Sequence, residues 1–125
     1  MCISRFTSLL DGVWSGLLSD PEFVKIIFND LESGQHRNPT GNPRYFTSAY
    51  FHNPEEFGHE ISGQGFRLEK LIGVEGPSWL MPNFEDVWNN PKRRETLMEL
   101  LRKTEEERTF IGVSLHIMAI DRKPF

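Results

Sequence analysis

Four histidines, His36, His52, His59 and His116, are the side chains of this sequence best suited to proton transfer or metal ligation. No two stand four apart on a helix with a glutamate between them, the spacing by which a zincin holds its ion, so no metal ligand set is read here. His36 and His52 border a polar stretch, GQHRNPTGNPRY at 34–45, and the aromatics that follow it, Tyr45, Phe46, Tyr50 and Phe51. An imidazole titrates near neutral pH, so either histidine could serve as a general base. Arg37 could hold an anionic group, and Tyr45 and Tyr50 could wall a small ligand. The plainer alternative is that these residues only tie the loop down. His116 lies in an apolar run, where a ring bonded to backbone is expected, and His59 falls on a solvated helix face.

Other chemistries leave no trace. There is no G-x-x-x-x-G-K-[ST] segment and no G-x-G-x-x-G between a strand and a helix; Gly63-Gln64-Gly65 precedes a strand, the wrong order for a phosphate loop. No G-x-S-x-G elbow is present. Lys92-Arg93-Arg94 and Glu105-Glu106-Glu107 read as solvated surface charge, since both oppose the helix dipole. The one cysteine, Cys2, excludes an internal disulfide framework and a thiolate zinc cage. A formal charge of −4 and a pI near 5.6 disfavour a nucleic-acid partner. No apolar run approaches the roughly 20 residues of a membrane span. The opening MCISRF lacks the apolar core of a signal peptide, so a cytoplasmic protein with no membrane partner is expected. At 125 residues, 38% of them hydrophobic, the chain has enough apolar material for one domain, residues 1–125.

The elements that must position these side chains follow from caps and periodicity. Asp20-Pro21, Asn53-Pro54 and Asn90-Pro91 each place a capping acceptor before a proline at the first helical position. Asn53 with Glu56 resembles a capping box. A first helix is expected over about 7–18, with Leu9, Leu10, Val13, Trp14, Leu17 and Leu18 as its apolar face, weakened by Gly12 and Gly16. A second runs from Pro21 to Ser33, burying Phe23, Val24, Ile27, Phe28 and Leu31 and ended by Gly34. A third spans about 54–62. A fourth runs over about 91–106 and buries Leu97, Leu100 and Leu101. Strands are expected at 66–75 and 110–121, the latter apolar at nearly every residue and so covered on both faces. Between them, 78–90 reads as an apolar lid. The class is α/β, yet two long strands alone make a marginal sheet.

Several segments resemble the C-terminal, substrate-side half of a Rossmann-like class I S-adenosylmethionine-dependent methyltransferase. Ile3-Ser4-Arg5-Phe6-Thr7-Ser8-Leu9-Leu10-Asp11-Gly12 is similar to the segment after that family's fifth strand. Gly34-Gln35-His36-Arg37-Asn38-Pro39 and Tyr45 through Glu56 are similar to its substrate-side insertion, 34–53 here. Gly65-Phe66-Arg67 through Pro77 and Phe110 to Arg122 are similar to its sixth and seventh strands, which run antiparallel. The glycine-rich turn and the acidic strand end that cradle the methyl donor in that family have no counterpart in this chain. The resemblance therefore implies a partial fold whose cofactor-binding half is absent. S-adenosylmethionine belongs to the complete fold, and this chain alone is expected to bind none and to be inactive. It implies a small-molecule methyl acceptor held by Ser4, Arg5, His36, Arg37, Tyr45, Tyr50 and His52, with His36 or His52 as the candidate base. The implied macromolecular partner is a complementing N-terminal half. The alternative is a non-catalytic assembly module, a homodimer formed through the exposed edge of the last strand.

Overall fold

The computed structural model describes residues 1–124. The chain is mixed α/β, with one five-stranded sheet and five α-helices among the described residues. The strands are β1 (Cys2–Ser4), β2 (Gln35–His36), β3 (Ala49–His52), β4 (Arg67–Gly73) and β5 (His116–Arg122). Their order across the sheet is β2-β3-β1-β5-β4. β1 runs parallel to β3, and every other pairing is antiparallel. Among the described residues no helix is long and apolar enough to cross a membrane.

All three Asx-Pro signals start helices. Asp20, Asn53 and Asn90 accept from the backbone N–H of Glu22, Glu55 and Arg93, opening α2 (Pro21–Ser33), α3 (Pro54–Gly63) and α5 (Pro91–Thr104). The helix faces differ from expectation. α1 (Thr7–Trp14) buries Ser8 and Gly12 and leaves Val13 and Trp14 more than half exposed. A Cβ on Gly12 would lie 2.8 Å from Ile27 Cδ1, so the glycine is the contact that lets α1 and α2 close together. α2 in turn presents Phe23, Ile26, Ile27 and Asp30 inward and turns Phe28 out. α5 buries no residue fully; Leu100 points to solvent and Leu97 and Leu101 are half-buried. The expected lid is a 3-10 turn over Gly76–Leu80 and a short helix α4 (Phe84–Trp88) that packs on α5.

The sheet departs from expectation at both ends of the sequence. Residues 110–115 are not strand: a 3-10 turn at Ile111–Val113 buries Ile111, and the strand begins at His116. Nor is β5 covered on both faces. Ile117 is fully buried, whereas Met118 and Ile120 are 37% and 38% exposed. The first turns of the chain supply β1, which pairs Cys2 with Ile117 and Ile3 with His116. The last strand is therefore interior at its start and not a full-length free edge. In β4 a bulge between Leu68 and Lys70 resets the alternation. That bulge is why Leu68 and Leu71, three apart, both face Gly58 of α3.

Two apolar clusters result. Phe57, Ile111 and Ile117 are buried with Cys2, Ile61, Leu71 and Ala119 around them, joining α3 to the sheet. Leu17, Phe23, Ile26, Ile27 and Tyr45 form the second, between α1, α2 and the 34–45 stretch. Successive strand residues face opposite sides, so along β3 His52 looks toward Phe57 of α3 and Phe51 toward His36 of β2.

Candidate functional site

The 34–45 stretch is ordered by its own side chains. Asn38 donates from Nδ2 to the carbonyls of Asn42 and Phe46 and accepts at Oδ1 from Thr40. Asn42 caps a 3-10 turn at Pro43–Tyr45 by the same Asx-Pro device seen at the helices. Tyr45 then enters the second core, 4.7 Å from the Phe23 ring, and its hydroxyl donates to Asp20. That bond holds the Asp20 carboxyl below and the Tyr45 phenol above their ordinary values.

His36 sits inside this construction, 1% exposed and stacked 4.6 Å from Phe51. Nδ1 is 2.7 Å from Asp30 Oδ2 and Nε2 is 2.8 Å from the Tyr45 carbonyl. The Tyr45 carbonyl can only accept, so Nε2 donates, and the Asp30 carboxyl beside Nδ1 favours a second proton on the ring. Burial alone would lower its pKa, but the Asp30 carboxylate and the Tyr45 carbonyl outweigh it and the net shift is upward. Ser8 Oγ donates to the same Asp30 oxygen. These are the residue types of a hydrolase triad wired differently, because the serine meets the carboxylate and not the imidazole. With both ring nitrogens engaged and the ring buried, His36 faces no substrate, and its role in this geometry is to join α2, β2 and the loop.

A second polar group forms where β1 and β3 end and α3 begins. Arg5 donates from Nε to the Phe51 carbonyl at 2.7 Å, and from Nη2 to Glu56 at 3.1 Å and Tyr50 at 3.2 Å. Gly34, at φ +71°, leaves room for that guanidinium; a Cβ there would stand 2.6 Å from Nη2. Tyr50 donates to the other Glu56 oxygen, which raises its phenol pKa. His52 lies 3.0 Å from Glu60 through Nε2, between the ring edges of Tyr50 and Phe57. The other ring nitrogen, Nδ1, is buried and has no partner among the described residues. His52, Glu56 and Glu60 offer ligand atoms within 4.8 Å of one another, the one such group among the described residues. Arg5 and Tyr50 already engage Glu56, so its charge is compensated from within the group.

Beside this group, on the same helix turn, lies a crevice of about 510 Å³. Phe6, Leu9, Leu10 and Val113 form its apolar wall, and Asn53, Glu55, Arg108 and Thr109 its polar rim. A shallower depression lined by Arg5, Glu56, His59 and Glu60 adjoins it across Asn53 and Glu55. Both open at the carboxyl ends of the parallel strands β1 and β3, where open α/β sheets bind ligands.

Of the seven side chains singled out from the sequence, Arg5, Tyr50 and His52 come together here. Ser4 is fully buried beneath them, its Oγ donating to the Gly112 carbonyl at 2.7 Å. His36 and Tyr45 belong to the buried network, and exposed Arg37 lies apart, beside Glu22, Lys25 and Pro39. His116 bonds the Glu75 carboxylate at 2.7 Å, not backbone acceptors. Sequence reasoning missed Asp30, Glu56 and Glu60. Asp30 follows Phe23 and Ile27 along the buried stripe, and a carboxylate on such a stripe demands a partner. His52, Glu56 and Glu60 stand four apart, a spacing that aligns them once β3 runs into α3. No family model, curated protein or solved structure matches this chain.

Proposed function

We propose that this chain is the acceptor-binding portion of a Rossmann-like S-adenosylmethionine-dependent methyltransferase that acts on a small molecule. The observation that carries the reading is the placement of β5 between β1 and β4, antiparallel to both. In the fold that the sequence resembles, the last strand lies between the fifth and the sixth, and β5 between β1 and β4 has that order, with β3 on the other side of β1. The crevice at the carboxyl ends of β1 and β3 supports it, because it combines an apolar wall with a polar rim on rigid elements.

Methyl transfer from a sulfonium is an in-line displacement, so the protein's part is to orient the acceptor and, where needed, take its proton. Phe6, Leu10 and Val113 would pack the acceptor's apolar body, and Arg108 and Glu55 would orient its polar end. Neither candidate base faces the crevice: His36 is buried in the other network, and His52 lines neither depression and has a buried Nδ1, so no base is assigned. Arg5 and Tyr50 are positioning residues that fix Glu56 and the floor under His52. The donor would be bound by a separate segment with a glycine-rich strand–turn–helix.

Calorimetric titration of the chain with S-adenosylmethionine is expected to give no binding heat, and clear micromolar binding would overturn the assignment. Amide NMR with small phenol and amine probes is expected to shift Phe6, Asn53, Thr109 and Gly112. Shifts confined to other surfaces would remove the crevice from the account.

A further inference from the structure

We propose that the recess between α3 and β4 binds a free α-amino acid with an apolar side chain. The recess holds about 280 Å³ and adjoins the larger crevice across Pro54, Glu55 and Arg108. Its floor is made by Leu68 and Leu71 of β4, Ile111 of the 3-10 turn and Gly58 of α3. Gly58 widens it. Glycine weakens a helix interior, yet a Cβ at this position would stand 3.2 Å from Leu68 Cδ2 and 3.5 Å from Leu71 Cδ1. Both leucines are half-buried, so they leave apolar surface that a ligand's side chain would cover.

The charges at its mouth define the ligand. Arg108 and Glu55 both border the recess, and both are exposed. Among the described residues neither side chain enters an ion pair, with the other or with a third group. Their competitors are occupied elsewhere. Glu107, next to Arg108, accepts from the backbone N–H and the hydroxyl of Thr109. Arg5, which lines the neighbouring depression with Glu55, is held by Glu56, Tyr50 and the Phe51 carbonyl. One cation and one anion are thus left without partners on a single rim. A plain carboxylate would meet Glu55 as well as Arg108, and a plain amine the reverse. A zwitterion satisfies both, with its carboxylate on Arg108 and its ammonium on Glu55. An α-amino acid carries those two groups on one carbon, together with a side chain for the apolar floor. His59 and Ser62 follow Glu55 along the same face of α3 and line the recess, so the side chain would run along the helix. The rim also borders the crevice, so ligands of the two cavities would compete for it. The recess stands on its own residues whether or not the methyltransferase reading holds.

Amide NMR of the full chain titrated with L-leucine to about 10 mM should give saturable shifts at Glu55, Gly58, Leu71 and Arg108. N-acetyl-leucine lacks the ammonium, leucinamide lacks the carboxylate and glycine lacks the side chain. Each should bind about tenfold more weakly or worse, the loss of one good interaction. Arg108→Gln and Glu55→Gln change exposed side chains, so each should keep the wild-type circular dichroism and weaken leucine about tenfold. Gly58→Ala should weaken it too, because the methyl enters the floor; if that variant fails to fold, the two rim variants carry the test. The proposal is overturned by the absence of saturable shifts, by N-acetyl-leucine or leucinamide binding as tightly as leucine, or by a rim variant without effect. Leucine shifts confined to Phe6, Leu10 and Val113 overturn it as well, while leaving the crevice and its proposed function in place.

Discussion

Replacing Asp30 with asparagine should reverse the pH dependence of stability around neutrality. In the wild type the two His36 nitrogens lie 2.7 Å from Asp30 and 2.8 Å from the Tyr45 carbonyl. The folded pKa lies above the ordinary 6.5. A group raised in this way contributes all its stability below the unfolded pKa and loses it as pH rises through the folded pKa. Above that point one nitrogen has shed its proton and faces an acceptor oxygen. In Asp30→Asn the new amide can donate to Nδ1 while Nε2–H keeps the Tyr45 carbonyl, so the neutral ring is satisfied and acid now opposes two donors. The expected cost at neutral pH is about 1–2 kcal/mol, the gap between charge-assisted and neutral hydrogen bonds. His36→Ala is harsher, because it leaves a buried carboxylate with Ser8 as its remaining partner. About 3–5 kcal/mol is expected there, a large share of the roughly 5–15 kcal/mol of a small domain. Urea unfolding followed by circular dichroism, between about pH 5.5 and 8.5 to bracket the free imidazole value, measures both. Parallel slopes for wild type and Asp30→Asn across that range would refute the second proton that Asp30 favours on the ring.

Gly12→Ala should destabilise by about 1–3 kcal/mol despite alanine's better helix propensity, since the added methyl meets Ile27 and Phe23; urea midpoints decide it. Burial pushes the Cys2 thiol up to about 12, so native protein should react far more slowly with a thiol-specific disulfide reagent at mildly alkaline pH than urea-unfolded protein. Ser4→Ala should cost about 1 kcal/mol in thermal or urea unfolding, because it removes the hydrogen bond to the part-buried Gly112 carbonyl. Asp20 is held below its ordinary pKa chiefly by the Tyr45 hydroxyl, so its contribution is present above the unfolded value and is lost as pH falls through the folded one. Tyr45→Phe should therefore unfold at a higher pH in an acid titration than wild type.

The sequence alone determined the features that are local. Asp20-Pro21, Asn53-Pro54 and Asn90-Pro91 each open a helix, because the cap and the proline act on N–H groups within one turn, whereas Asn42-Pro43 opens only a 3-10 turn and Asn38-Pro39 no helix. The 67–73 strand and the mixed α/β class were legible for the same reason. Which face each helix turns inward was not. Leucines and a tryptophan make the obvious stripe on α1, yet Ser8 and Gly12 face the core, because α2 can approach closely only where no side chain intervenes. Tyr50 and His52, chosen from loop context, and Arg5, named through the resemblance, do meet, but the carboxylates that organise them come from α3 and are brought there by β3 pairing in parallel with β1. His36 looked like a base because its sequence neighbours are polar; only long-range packing delivers Asp30 and the Tyr45 carbonyl to its two nitrogens. A cap is decided by residues a few positions apart, whereas the protonation and partners of a buried group are decided by whatever the rest of the chain folds against it.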